Sequence, residues 1–191
     1  MPARHDVPPA AALFDLGAES ARLETLSSAR RFWKFQLRAE PALEDTAMRY
    51  RLAYARPDGA VRVLFYAYAR WSAPPAELLR QRLERAFFWP PDTSVRDHCV
   101  LTLKLTSFEQ FFVSPEESYG QMTVRAELWD SDKNQAADEA VFTESVPASA
   151  PDAAGGAQAL AQGASMLAER IKRWRESAQD SAQKSCWSAA K

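Results

Sequence analysis

Apolar and polar residues alternate in short runs through most of the chain, and in two stretches the period lengthens to that of a helix. Phe32 to Arg38 alternates, with Trp33, Phe35 and Leu37 on one face, and reads as a strand. Met48 to Tyr54 alternates again, Tyr50, Leu52 and Tyr54 against Arg49 and Arg51. Pro57-Asp58-Gly59 then forms a turn, because proline presets φ and glycine accepts a positive one. Val61 to Ala69 is apolar at both parities (Val63, Phe65, Ala67 and Leu64, Tyr66, Tyr68), the pattern of a central strand covered on two sides. Residues 48–69 therefore predict a hairpin.

Pro74 and Pro75 fit only the first turn of a helix, where a missing N–H costs nothing. Leu78, Leu79, Leu83 and Ala86 form its buried stripe, Arg80, Gln81, Glu84 and Arg85 face out, and Pro90-Pro91 ends it. From Val100 a strand alternates Leu101, Leu103 and Leu105 against Thr102, Lys104 and Thr106, and its parity shifts at Phe108, which predicts a bulge. Tyr119 to Trp129 is a strand with Met122, Val124, Ala126 and Leu128 inward. The run from Asp130 to Asn134 turns it into a partner, Ala140 to Val146. Leu160, Ala164, Leu167, Ile171 and Trp174 then recur at spacings of four and three, one stripe of a long helix capped near Asp152. The order is β-β-β-α-β-β-β-α: an α/β, single-domain sandwich whose mixed β-sheet of about six strands carries two main helices. The domain runs over 13–176, between a flexible Pro/Ala-rich segment at 1–12 and a flexible polar tail at 177–191.

Charge and chemistry narrow the function mainly by exclusion. A formal net charge of −1 gives no electrostatic reason to expect nucleic acid or anionic membrane, although arginines crowd the first half. Aromatic strands with basic neighbours can stack single-stranded RNA, but the RNP1 pattern is missing and the helix order differs from that of an RRM. His5 and His98 are the two histidines, and no G-x-S-x-G elbow accompanies His98 and Asp97, so no catalytic residue is assigned. Neither C-x-x-C nor H-x-x-x-H is present, so neither metal nor cofactor is expected. Gly155-Gly156 opens the last helix, where close packing on the sheet is favoured over an anion site. Cys99 and Cys186 are open to either reading, one disulfide or two thiols. Phe87-Phe88-Trp89 exceeds what one helix face can bury and is a candidate contact for a partner or lipid.

Four stretches, in order and in register, resemble the ABC-type transport auxiliary lipoprotein family. They are Leu13-Phe14-Asp15-Leu16-Gly17; Tyr66-x-x-x-Arg70-Trp71-x-x-Pro74-Pro75 followed by Leu78-Leu79; Leu103-x-Leu105-x-x-Phe108-Glu109-Gln110-x-Phe112 with Ala126-x-Leu128 after it; and Ala153-Ala154-Gly155-Gly156. The resemblance spans about Leu13 to Trp174. It implies a non-enzymatic auxiliary subunit of an MCE-type ABC lipid transport system, in the periplasm and anchored to the outer membrane. The partners it implies are MCE-type transporter subunits and a phospholipid or sterol-like lipid, with homo-oligomers as a further state. The family's signal peptide and lipobox cysteine do not precede Leu13 here, which is expected if Met1 stands in for a removed leader. Tyr66, Arg70 and Trp71, where a strand gives way to a helix, join Phe87, Phe88 and Trp89 as candidate binding residues. The competing readings are an envelope scaffold that oligomerises without lipid contact and a small cytoplasmic enzyme using His98.

Overall fold

The computed structural model describes residues 10–17, 35–55, 61–86, 99–178 and 186. Its strands are β1 (Ala12–Phe14), β2 (Phe35–Ala39), β3 (Ala47–Leu52), β4 (Arg62–Trp71), β5 (Cys99–Phe112), β6 (Ser118–Asp130) and β7 (Gln135–Pro147). Helix α1 (Pro75–Ala86) follows β4 and α2 (Ala153–Ala178) follows β7. All seven strands form one mixed sheet in the order β1-β4-β3-β5-β6-β7, with β2 also paired to β5. The expected architecture is thus present, with one strand more than the alternation predicts.

The sheet is built around the long β5. Along one edge it pairs antiparallel with β6. Along the other it takes two short parallel strands end to end, β2 against residues 101–105 and β3 against residues 110–112. The ladder with β6 shifts between Leu105 and Ser107, the irregularity that the change of parity at Phe108 foretold. The shift lets Leu101, Leu103, Leu105 and then Phe108 point the same way, each no more than 2% exposed. Met122, Val124, Ala126 and Leu128 continue that inner row on β6, and Leu160, Ala164, Leu167 and Ile171 of α2 close over it. Each such leucine taken from water contributes roughly 1.5–3 kcal/mol, so this interface is the main source of stability.

Small residues let α2 lie close. A Cβ on Gly120 would stand 2.7 Å from the backbone nitrogen of Leu160, and one on Gly156 would stand 2.2 Å from Gln110 Oε1. The Gly155-Gly156 pair is therefore a packing device, as expected. The predicted cap is present: Asp152 Oδ1 accepts the Gly155 N–H at 2.8 Å. At the other helix, Arg82 sits on the buried face of α1. It donates to the carbonyls of Leu16 (3.1 Å) and Gly17 (2.8 Å) and to Ser165 Oγ (2.6 Å), tying the exit of β1 to both helices. Glu77, in the first turn of α1, accepts from Arg80 and Gln81.

Two expectations need correction. Val61 to Ala69 is not covered on two sides, because β4 changes face part-way. Arg49 pairs with Phe65 but Ala47 with Arg70, so four residues of β4, 66 to 69, lie opposite the single Met48. The surplus of three is odd, and it inverts the alternation. Trp71 turns into the core while Val63 and Phe65 stay outside. Second, Cys186, in the segment read as a loose polar tail, is buried and forms a disulfide with Cys99, Cα to Cα 5.5 Å. Of the remaining expectations, Phe32–Lys34, the turn at 57–59 and Pro90-Pro91 lie outside the described residues.

The bridge joins positions 87 apart, a long loop whose closure removes much entropy from the unfolded chain. Cys186→Ser, or reduction of the wild type, should lower unfolding free energy by about 2–5 kcal/mol in urea titrations. The Glu77 carboxyl is held down to about 2 from an ordinary 4.5, by the hydrogen bonds from Arg80 and Gln81 and then by the Arg80 charge, against slight desolvation. Because its folded value is depressed, its contribution is complete above the unfolded value and is lost as pH falls through about 2. A carboxyl NMR titration should show this, and Arg80→Ala should return Glu77 to the ordinary range.

Candidate binding surface

The strand-to-helix junction is assembled by hydrogen bonds that the face change makes necessary. Carbonyls in the irregular stretch have lost their ladder partners, and buried carbonyls need donors. Arg70 supplies them, its Nη1 donating to the carbonyl of Tyr66 at 2.6 Å and to that of Ala69 at 2.9 Å. Glu77, at the start of the helix that follows, is held by Arg80 at 2.6 Å. The Trp71 N–H donates to the Thr46 carbonyl at 2.8 Å, which re-enters the ladder with β3. The indole is 2% exposed and meets Phe108 edge-on at 5.2 Å. Trp71 thus packs the core, and its ring offers a partner no surface.

Tyr66 opens a polar chain through the sheet interior. Its hydroxyl donates to Gln110 Oε1 at 2.7 Å, and Gln110 Nε2 donates to Ser118 Oγ at 2.8 Å, linking β4, β5 and β6. Tyr50 stacks at 4.7 Å from the Tyr66 ring. Burial, and then the neighbouring Tyr50 and Asp152, push the Tyr66 hydroxyl well above its usual range, so it remains a neutral donor. The partnership of Gln110 with Tyr66 and Ser118 is set by the fold. Gln110 occupies an inward position between Phe108 and Phe112, and a polar residue at an apolar parity is the signal that marks it.

The exposed element is the outer side of β4 and β1. Leu13 is 70% exposed, Tyr68 57%, Phe65 54% and Val63 41%, while Ala69 and Trp71 of the same strand are buried. Leu13 pairs with Arg70, so β1 continues the strip laid down by β4. Apolar residues grouped along one edge mark interaction surfaces more often than do scattered ones. Phe87, Phe88 and Trp89 lie outside the described residues, as do His5, Asp97 and His98. Among the described residues one group has metal-ligand types, Cys99, Asp130 and Cys186. Its two sulfurs are bonded to each other, and Asp130 Oδ1 accepts the N–H groups of Asp132 and Lys133 at 3.1 and 3.2 Å, so its donors are already committed.

No protein-family model and no curated protein sequence matches this chain. Solved structures do. A Xanthomonas campestris protein of family DUF330 superposes with a TM-score of 0.64 at 18% identity, over 76% of this chain and 83% of that one. An uncharacterized protein superposes with a TM-score of 0.62 at 14% identity, over 87% of this chain and 99% of its own. A Caulobacter crescentus CB15 protein whose name includes the word lipoprotein reaches a TM-score of 0.35 at 19% identity, over 51% of this chain and 77% of that one, and carries no argument. The fold of this chain is shared with a DUF330 protein.

The polar chain predicts a graded response. Tyr66→Phe should cost about 1–3 kcal/mol, the cost of leaving Gln110 short of a donor. Gly156→Val should cost about 2–4 kcal/mol, since it drives into Gln110 and breaks both bonds. Thermal unfolding of the two variants beside wild type checks the order.

Proposed function

We propose that this chain is a non-enzymatic binding subunit of the bacterial cell envelope, an auxiliary lipoprotein of an MCE-type ABC lipid transport system. The observation that carries this reading is the apolar strip of Leu13, Val63, Phe65 and Tyr68, left open on a sheet whose opposite face is filled by α2. Three further observations support it. The buried Cys99–Cys186 bridge suits an oxidising compartment such as the periplasm, since disulfides are rare in the reducing cytosol. The fold shared with a DUF330 protein agrees with the α/β domain that the four sequence stretches imply. Among the described residues no helix is long and apolar enough to cross a membrane, and attachment through an acylated upstream cysteine fits that.

On this reading the subunit works by holding partners in place. The MCE-type component seats against the β1–β4 edge, away from the disulfide at the start of β5. The test is co-purification of the oxidised chain with an MCE-domain subunit produced in the same envelope. Leu13→Ser combined with Tyr68→Ser should cut recovery of the pair about tenfold or more, with the melting temperature unchanged. Recovery that is unaltered by both substitutions, or no pair with the wild-type chain, overturns the reading.

A further inference from the structure

A second feature of the outer sheet face has the chemistry of a ligand site. Between the end of β2 and the start of β3 the chain makes a 3-10 turn at Pro41–Leu43, beside the bulge of β5. The gap between those two short strands leaves a groove of about 340 Å³, at the small end of ligand-site volumes. Glu40, Arg49, Arg51, Val63, Phe65 and Glu109 line it. One wall is therefore apolar and the other carries charge.

The charged wall leaves guanidinium donors without protein acceptors. The Glu109 side chain is 8% exposed and accepts from Arg51 Nε at 2.6 Å and from Ser107 Oγ at 3.3 Å. The Arg49 side chain is 10% exposed, and its guanidinium lies 5.4 Å over the ring of Phe65. Arg51 thus pairs with the buried Glu109, and Arg49 lines the same groove two residues before it on β3. Asp45 does bond Arg49 Nη2 at 3.0 Å, but its side chain is 61% exposed, where water screens the charge. Glu40 is matched at the rim by Lys104 at 2.7 Å. The Asp45 bond is the only one that Arg49 makes among the described residues, and its Nε is sealed from solvent with no acceptor at all. A buried Nε–H without an acceptor is energetically costly, because buried donors demand acceptors. Among the described residues Arg49 Nη1 and both Nη groups of Arg51 bond no protein acceptor, and these are the donors that a guest oxygen in the groove would meet.

We infer that this groove binds a single-chain anionic amphiphile, its oxyanion head on Arg49 and Arg51 and its apolar arm against Val63 and Phe65. Guanidinium forks suit oxyanions of carboxylate or phosphate type, and each charge-assisted bond outweighs a neutral one about twofold. The groove is too small for two full acyl chains. It accommodates a head group and the first part of one chain, and the rest lies along the open strip of β4. The site stands on this geometry alone, so its failure would leave the envelope reading untouched.

Isothermal titration of the oxidised chain with dodecyl phosphate, below its micelle concentration, tests the site. Inorganic phosphate and dodecyl maltoside serve as head-only and arm-only comparators. Dodecyl phosphate should bind about tenfold or more tighter than either. Arg51→Gln and Phe65→Ser should each weaken it about tenfold, the scale of one lost charged bond or one lost apolar wall. Arg49→Gln should do at least as much, and should Arg49→Gln fail to fold, the half-exposed Arg51 decides. Dodecyl maltoside binding as tightly as dodecyl phosphate would show that the head is not read, and phosphate binding as tightly would show the same of the arm. Either result overturns the proposal, as does wild-type affinity in folded Arg51→Gln.

Discussion

The change of face in β4 is the constraint on which the rest of the molecule rests. Three surplus residues opposite Met48 invert the alternation within one strand. Before the inversion Val63 and Phe65 face outward; after it Ala69 and Trp71 face the core. Without it the indole would meet water and the start of α1 would leave the sheet on the wrong side. The irregularity costs ladder hydrogen bonds, and Arg70 restores two of them with one guanidinium nitrogen. The Arg-Trp pair therefore acts as one device: the arginine stabilises the irregular backbone, and the tryptophan uses the new direction. Its prolines then start α1 where the strand has been re-aimed.

The same device defines what the surface can do. Because β4 turns its first half outward, apolar side chains remain on a sheet face that neither described helix covers. Because β2 and β3 share one edge of β5 end to end, a gap opens beside them. The bulge of β5 brings Glu109 into that gap, and β3 brings Arg49 and Arg51 on successive outward positions. The two irregularities, one in β4 and one in β5, thus build a concavity with both a charged and an apolar wall.

Much of this was legible from residue order. The α2 stripe, its Asp152 cap and the parity shift at Phe108 are local signals, set by period and capping chemistry over a few residues, and each stands in the structure as read. What escaped depends on contacts between distant segments. β1 is three residues long and exists because residues 69–71 offer it a parallel edge, so no period announces it. The exposure of Phe65 could not be separated from burial, since β4 is apolar at both parities and its inversion is set by pairing with β3. Arg82 lies four residues after Leu78 and three after Leu79, squarely on the buried stripe, but as a charged residue it adds nothing to a hydrophobic period. The candidate site divides in the same way. Tyr66, Arg70 and Trp71 are found together at one junction, but as structural parts, whereas Arg49, Arg51 and Glu109 come together only through the fold.

The Cys99–Cys186 bridge also bears on the order in which the molecule is completed. Its second sulfur follows α2 in the chain, so the bond cannot close until both helices and every strand of the sheet have been synthesised. Cys99 starts β5, and Asp130 at the end of β6 lies opposite it, so the bond fastens the segment after α2 to that ladder. The bridge therefore acts as a latch, and it makes full opening of that corner a chemical event as well as a thermal one.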